Sequence, residues 1–172
     1  MNMVSLLILG PFVEKLYGSA KFVFFWVLAG IAGTLASYLT LRPSLATGLF
    51  GSFLFKGVDV PSAGASGALF GLIGVLFVFG IKYRHELPEG FKRVFGTGML
   101  PIIFINLFIG LIGRLHVGNA AHIGGLLVGA ALALAVGYRR PGASASVNNI
   151  WRVGQVLLLL LIVLGFYKVA RN

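Results

Sequence analysis

The first candidate for chemistry is a serine that lies between glycines at the start of an apolar segment. Ser66 falls in the stretch AGASGALFGLIG at residues 63–74, and no charged residue follows it until Lys82. In the first turn of a helix it would lie beside backbone N–H groups that have no partner in the helix and can stabilise an oxyanion. Gly64 and Gly67 would leave room for an incoming peptide. The alternative is a packing role, because a buried hydroxyl in a membrane bundle usually donates to a carbonyl one turn back.

A serine nucleophile needs a base, and His122 is the only one of the three histidines that lies inside an apolar segment. An imidazole in a membrane helix is a functional candidate, and the alternative is a histidine that only hydrogen-bonds a neighbouring helix. Gly125 and Gly129 follow His122 in G-x-x-x-G spacing, and Gly67 and Gly71 follow the serine in the same spacing. Because such faces allow close helix approach, we predict that the two helices touch and bring the serine within hydrogen-bond reach of His122.

The composition places both residues in a membrane. Of the 172 residues, 58% are hydrophobic and only 10% are charged, and the mean hydropathy is +0.98, which is too apolar for an ordinary soluble domain. The chain has no cysteine, so a disulfide framework and a thiolate metal site are excluded. Its net charge of +10 falls mainly between the apolar segments, where basic residues set topology. We therefore expect the lipid bilayer as a partner, and neither nucleic acid nor a cofactor or metal.

The apolar segments predict an all-α, polytopic membrane helix bundle. About six transmembrane helices are expected, at residues 2–17, 22–41, 66–81, 98–113, 119–137 and 153–169. The third of these would cover only about 24 Å of a hydrocarbon core about 30 Å thick, so one end must lie below the membrane surface. Residues 43–63 are too glycine-rich and interrupted for a helix, and we predict a loop against the membrane surface. Residues 82–97 are the most polar part of the chain and predict a solvated connection.

Alternating crossings would place three helix N-termini on one side of the membrane, those that begin at Asn2, Ser66 and Asn119. Of the 14 lysines and arginines, nine lie on the opposite side and five on the Ser66 side. By the positive-inside rule, we predict that Ser66 faces away from the cytoplasm in a multi-pass protein of the plasma (inner) membrane. The turn at residues 113–117 would lie outside.

The clearest linker is residues 139–149, where proline, glycine, serine and asparagine cluster. We therefore divide the chain into a core at residues 1–137, a cytoplasmic linker at residues 138–152 and an additional C-terminal transmembrane helix at residues 153–172. The last helix is leucine-rich and carries no evident chemistry.

Three motifs together resemble the rhomboid family of intramembrane serine proteases. The family's G-x-S-G matches residues 64–67, and its A-H-x-x-G-x-x-x-G matches residues 121–129. A third pattern, N-x-x-x-L-x-x-x-G-x-x-x-E-x-x-x-G, broadly matches residues 2–18. The resemblance covers roughly residues 2–137. It implies a protease that cleaves peptide bonds in or next to the transmembrane segments of membrane protein substrates.

The resemblance also implies a role for each matching residue. Ser66 would be the nucleophile and His122 the general base and acid of a Ser-His dyad. Asn2 and the Ser66 backbone amide would form the oxyanion hole, and Gly64 would keep the site open. Family members often carry a tyrosine one turn after the serine, which stacks on the histidine. This chain has Phe70 there, whose ring can still stack, and the glycine pairs of the two helices would shape the site around it.

Family members usually carry a histidine a few residues before the asparagine, and before that a first transmembrane helix and a large membrane-embedded loop. This sequence begins at Met1 and Asn2. We therefore expect the native reading frame to extend upstream, with such a histidine and another apolar stretch, and we expect weak or no activity from the 172-residue chain.

Two other classes of protein are weighed against the protease. A catalytically silent rhomboid-like protein would bind membrane clients without cleaving them, and the presence of both Ser66 and His122 argues against it. A small-solute transporter would usually carry ionisable residues along several helices. The other intramembrane proteases are excluded, because Asp59 is the only aspartate and H-E-x-x-H is missing. No pattern predicts the natural substrate or the oligomeric state.

Overall fold

The structure is a computed structural model that describes residues 2–46, 48–55, 65–112, 119–139 and 145–171. These residues confirm the predicted all-α class, since they form helices joined by turns. The helices are α1 (Asn2–Tyr17), α2 (Ser19–Leu39), α3 (Gly48–Leu54), α4 (Ser66–Lys82), α5 (Glu89–Val94), α6 (Leu100–Ile112), α7 (Asn119–Ala135) and α8 (Ala145–Arg171).

Within these ranges two helical stretches are long and apolar enough to cross a bilayer, Ser19–Leu39 and Asn149–Arg171. Three further apolar helices are shorter, Ser66–Lys82, Gly96–Gly110 and Asn119–Ala135. Length and composition alone therefore identify fewer spans than the sequence predicted. The short helices include the two that carry Ser66 and His122.

The chain reverses sharply between α1 and α2 at a single glycine. Gly18 has φ of 87°, a left-handed conformation that glycine adopts without the steric penalty of a side chain. Its backbone N–H donates to the Glu14 carbonyl at 2.7 Å, which ends α1 in the manner of a C-cap. The Ser19 hydroxyl donates to the Glu14 carboxylate. This reversal lets α2 pack back along α1.

The helix α4 is the centre of the bundle. It packs against α7, α2 and α1, and Leu72, Val75 and Leu76 are fully buried. Because neighbours cover α4 on several sides, its sequence is apolar on every face rather than amphipathic. A helix without a charged residue before its last position can occupy this place in a membrane.

Polar side chains join the helix ends at one end of the bundle. Lys82, the last residue of α4, donates from Nζ to two carbonyls in the last turns of α7. Lys21, near the start of α2, donates to the Gly137 carbonyl at 2.8 Å, and the Arg139 N–H donates to the Leu16 carbonyl at 2.7 Å. Cations at a helix C-terminus are favourable because they oppose the negative end of the helix dipole. The arrangement agrees with the alternating helix directions assumed above. We call this the basic end.

The connections contain more helix than the sequence predicted. The prediction that residues 43–63 form no helix is wrong, because α3 occupies part of that stretch. The helix α5 lies in the predicted solvated connection, where Glu89 in its first turn and Lys92 in its last turn are an ion pair that also suits the helix dipole.

The C-terminal part of the chain is described from Ala145 onward. There α8 begins within the stretch predicted as a linker. Residues 140–144 of that linker and the predicted turn at 113–117 lie outside the described residues. The division into core, linker and added helix stays a prediction.

Candidate active site

The two G-x-x-x-G pairs lie against each other where α4 packs on α7. A Cβ atom on Gly125 would overlap the carbonyl oxygen of Gly67, and one on Gly129 would overlap the carbonyl oxygen of Gly71. The neighbouring atoms are backbone in both cases, so no side chain can swing away to make room. Only glycine permits this distance between the helices. A Cβ atom on Gly67 would also lie 3.3 Å from the Ala121 carbonyl oxygen, so the first turns of α4 and α7 lie side by side.

A third helix closes this contact. A Cβ atom on Gly33 of α2 would lie 2.8 Å from the Ala121 carbonyl oxygen and 3.2 Å from the Gly67 Cα atom. One turn earlier, the methyl group of Ala29 fills the space beside Gly71. The motifs in the sequence did not indicate that α2 belongs to the site. Ala29 and Gly33 nevertheless have the four-residue spacing of small residues that marks a membrane helix interface.

His122 lies in this contact, and its ring is held by Phe70. The two rings are stacked, with centroids 4.1 Å apart and an angle of 7° between their planes. Both side chains are buried. Parallel packing against a phenyl ring restricts the imidazole to one plane. Among the described residues, the Nδ1 atom of His122 has no hydrogen-bond partner.

Ser66 is the first residue of α4 and is half-buried. The described residues show no side-chain hydrogen bond that caps this helix at Ala65. The first-turn amides of an α-helix have no partner within the helix and can donate to a substrate oxygen. The side-chain hydrogen bonds among the described residues do not include one from the Ser66 hydroxyl to His122. The pairing of these two side chains thus stays a prediction, and the structure supplies the side-by-side placement of their helices.

The family of this chain follows from its similarity to known proteins. A family model described as the Rhomboid domain matches residues 1–139. The chain belongs to the rhomboid family. The resemblance inferred from the motifs is confirmed, and with it a multi-pass integral membrane protein of a protease family.

Relatives of this rhomboid include proteins that are named as proteases. The rhomboid protease GluP of Bacillus subtilis (strain 168) is 34% identical over 165 residues, which cover 96% of this chain and 27% of GluP. RHOMBOID-like protein 5 of Arabidopsis thaliana is 35% identical over 74% of this chain and 36% of its own length. The rhomboid protease GlpG of Haemophilus influenzae is 30% identical over 74% of this chain and 56% of its own length. The chain thus spans about a quarter to a half of the length of these relatives. No solved structure matches it.

The remaining predicted site residues of this rhomboid occupy different surroundings. Asn2 is the first residue of α1, and its side chain is exposed. No described contact places it beside Ser66. Gly64 lies outside the described residues. Gly67, Gly125 and Gly129 all lie in the contact between α4 and α7.

Asn119 is a polar residue that the sequence pattern marked only as the start of a helix. Its side chain is 2% exposed, and its Nδ2 atom donates to the Leu107 carbonyl of α6 at 3.2 Å. Its Oδ1 atom is buried without a partner among the described residues. An amide three residues before His122 in an apolar helix was a usable signal, because positions i and i+3 lie on the same helix face. Asn119 connects the histidine helix to α6.

Proposed function

We propose that this rhomboid is an intramembrane serine protease that cleaves peptide bonds in or next to the transmembrane segments of membrane proteins. Ser66 is the proposed nucleophile, and His122 is the proposed general base and acid. The observation that supports the proposal most is the glycine contact between α4 and α7, which brings the helix turn of Ser66 against the helix turn of His122. Phe70 supports it further by holding the imidazole plane.

The proposed reaction has two halves. His122 removes the hydroxyl proton of Ser66 as the oxygen attacks the carbonyl carbon of the scissile bond. The oxyanion that forms accepts hydrogen bonds from the Ser66 backbone N–H and from the proposed second donor, the Asn2 amide. His122 then gives the proton to the leaving amine, which departs and leaves an acyl-enzyme. In the second half His122 activates a water molecule, which releases the new carboxyl terminus and restores the serine.

The length of α4 supports a site below the membrane surface. The helix has 17 residues and is about 26 Å long at 1.5 Å per residue, roughly 4 Å less than a hydrocarbon core of about 30 Å. The charged Lys82 at its C-terminal end must stay near the polar interface. The shortfall therefore lies at the Ser66 end, inside the bilayer and next to the transmembrane segments that would be cleaved.

We further propose that Ser66 opens to the side of the plasma membrane away from the cytoplasm. The charges support this orientation, because Lys21, Lys82 and Arg139 lie together at the opposite end of the bundle. Basic residues collect on the cytoplasmic side of membrane proteins. A cysteine introduced at position 85 in the cysteine-free chain should be protected from an impermeant maleimide in intact cells, and labelling there would contradict the orientation.

The test of the reaction compares two serine substitutions in proteoliposomes that also contain a model transmembrane substrate. Ser66→Ala removes the proposed nucleophile, whereas Ser44→Ala makes the same change at an exposed position before α3. Products are identified by mass spectrometry after long incubation, so that weak activity is detected. We expect slow cleavage by the parent chain and by Ser44→Ala, and none by Ser66→Ala. Cleavage by Ser66→Ala at the parent rate would defeat the nucleophile assignment. Substrate binding without cleavage by any of the three proteins would favour the silent rhomboid-like alternative.

A further inference from the structure

A cavity lies at the basic end of the bundle, between the α1–α2 reversal, the segment after α7, and α8. Its volume is about 110 Å³, where one water molecule needs about 10–15 Å³. The cavity therefore has room for a group of several heavy atoms. Its lining is basic and partly aromatic, with the side chains of Lys21, Arg139, Trp151 and Arg152.

Lys21 is the most enclosed of these groups. It is 9% exposed, and its Nζ atom donates to the Gly137 carbonyl at 2.8 Å and lies 5.5 Å from the centroid of the Trp151 ring. An ammonium group has three N–H donors, and the carbonyl takes one of them. A buried cation is unfavourable unless anions or dipoles surround it. An anion in the cavity would complete the surroundings of Lys21.

Two guanidinium groups add to the positive charge at this cavity. Arg139 and Arg152 line it and are exposed, and the Arg139 backbone is fixed by its hydrogen bond to the Leu16 carbonyl. No acidic side chain is among the described residues that line the cavity. The planar guanidinium fork matches the geometry of phosphate oxygens better than a single ammonium group does.

The depth of the cavity fits a lipid headgroup. It lies at the ends of α1 and α2, and Trp151 contacts Phe24 of α2 edge to face, with centroids 5.4 Å apart. Tryptophan is enriched at the membrane–water interface, where phospholipid headgroups also lie. Basic pockets between helices on the cytoplasmic side are suited to anionic headgroups.

We propose that this cavity binds an anionic phosphate group, from the headgroup of an anionic phospholipid or from a soluble phosphate. The bound group would be held by Lys21 from the core and by Arg152 from α8, with Arg139 between them. It would therefore fasten α8 to the core beside the contact between Trp151 and Phe24. The proposal is independent of Ser66, His122 and proteolysis.

The test uses the purified full chain and two double substitutions of equal charge change. Arg139→Gln with Arg152→Gln removes both guanidinium groups from the cavity, whereas Lys168→Gln with Arg171→Gln removes two charges from the far end of α8. Binding of phosphatidylglycerol and of phosphatidylcholine is measured by native mass spectrometry. A guanidinium group that contacts the headgroup should contribute about as much as a basic residue at an anionic membrane surface, roughly fivefold in affinity. We expect phosphatidylglycerol binding to weaken about 30-fold in the cavity variant, and to stay near the parent value in the control.

A second arm separates the two sources of phosphate, by measuring thermal unfolding of the same proteins with inorganic phosphate in zwitterionic detergent. Stabilisation of the parent chain by inorganic phosphate, absent from the cavity variant, would assign the site to a soluble anion, and binding of phosphatidylglycerol alone would assign it to lipid. Arg139→Lys with Arg152→Lys keeps the charge and should retain most of the binding, which guards against misfolding as the cause of a loss. Equal binding of both ligands to the parent and the cavity variant would overturn the proposal, as would an equal loss in both double variants.

Discussion

The two ends of α4 are joined to their neighbours by different kinds of contact. At the basic end, Lys82 binds carbonyls of α7, and the Phe79 ring packs against four aromatic rings, those of Tyr17, Tyr83, Phe95 and Tyr138. At the Ser66 end, the contact is backbone against backbone through glycines, and Phe70 on His122 is the aromatic pair. Large side chains pack together at the basic end, whereas the helices at the Ser66 end are in direct backbone contact through glycines.

Within α4, the contacts at the basic end therefore contribute mainly to stability, and the residues at the Ser66 end contribute mainly to the reaction. Two of the three buried side-chain atoms without a partner among the described residues belong to His122 and Asn119 at the Ser66 end, and the third is the Tyr17 hydroxyl. A buried polar atom without a partner is unfavourable, and such atoms are often kept where function needs them. Polar substitutions at the Ser66 end should therefore change activity more than stability, and substitutions at the basic end should do the reverse.

The largest effect is expected from His122→Ala, measured as labelling of Ser66 by a fluorophosphonate probe. Loss of a general base lowers the rate by roughly 10²–10⁴-fold, so labelling should fall to background. The thermal midpoint should fall by less than this loss of rate implies, because the ring's contact with Phe70 contributes about 0.5–1.5 kcal/mol and its Nδ1 atom has no partner among the described residues. His85→Ala, in an exposed connection, is the matched control and should label like the parent. Full labelling of His122→Ala would remove the histidine from the mechanism.

The next largest effect is expected from Gly125→Ala, which should lower both activity and stability. The new methyl group would overlap the Gly67 backbone, so the helices must separate. Overpacking of this kind costs about 1–3 kcal/mol, and a shift of about 1 Å between catalytic groups lowers the rate by roughly a hundredfold. Thermal unfolding and substrate cleavage are the two measurements.

Gly165→Ala is the control for that substitution, because none of the described residues lies within 4 Å of a Cβ atom at Gly165. Alanine favours helix over glycine by up to about 1 kcal/mol, so the control should unfold at the same temperature as the parent or higher. If both substitutions lowered the midpoint equally, the close contact at Gly125 would not be what holds the Ser66 end together.

These two predictions concern His122 and Gly125, which the sequence alone assigned to the site. Such residues can be found without a structure for a physical reason. The helix starts at Ser66 and Asn119 and the paired glycine spacings follow from local pattern, which fixes the helix face. Local pattern does not say which helix a small-residue face meets. With 25 glycines in the chain, Gly33 of α2 was one of several equal candidates, and only the packing of three helices places it against Gly67.

The short helices and the buried amide were missed for a related reason. The helix α3 has 7 residues and α5 has 6, below the length at which a helix is stable by itself, so tertiary contacts must support them. The importance of Asn119 depends on Leu107 of α6, a partner that no spacing in the sequence indicates.

A smaller effect is expected from Phe70→Leu. Leucine keeps the site apolar but loses the parallel contact with the His122 ring. An aromatic pair contributes about 0.5–1.5 kcal/mol beyond burial, so kcat/KM should fall by about 2–12-fold. Phe70→Tyr retains the ring and should cleave the transmembrane substrate at or above the parent rate. If Phe70→Tyr lost as much kcat/KM as Phe70→Leu, an aromatic ring at position 70 would not be sufficient for activity. Stacking on His122 would then not explain the loss in Phe70→Leu.

The smallest effect is expected from Lys82→Gln at the basic end. The change removes a cation from the last carbonyls of α7, an interaction that contributes about 0.3–1 kcal/mol when exposed. The thermal midpoint should fall by about 1–4 °C. Cleavage per folded molecule should match the parent, because α4 is anchored at the other end by the glycine contact. Lys168→Gln, at the exposed end of α8, makes the same change without that contact and should leave the midpoint in place. If Lys82→Gln instead lowered kcat as much as Phe70→Leu, the two ends of α4 would be coupled, and the separation of stability from chemistry would fail.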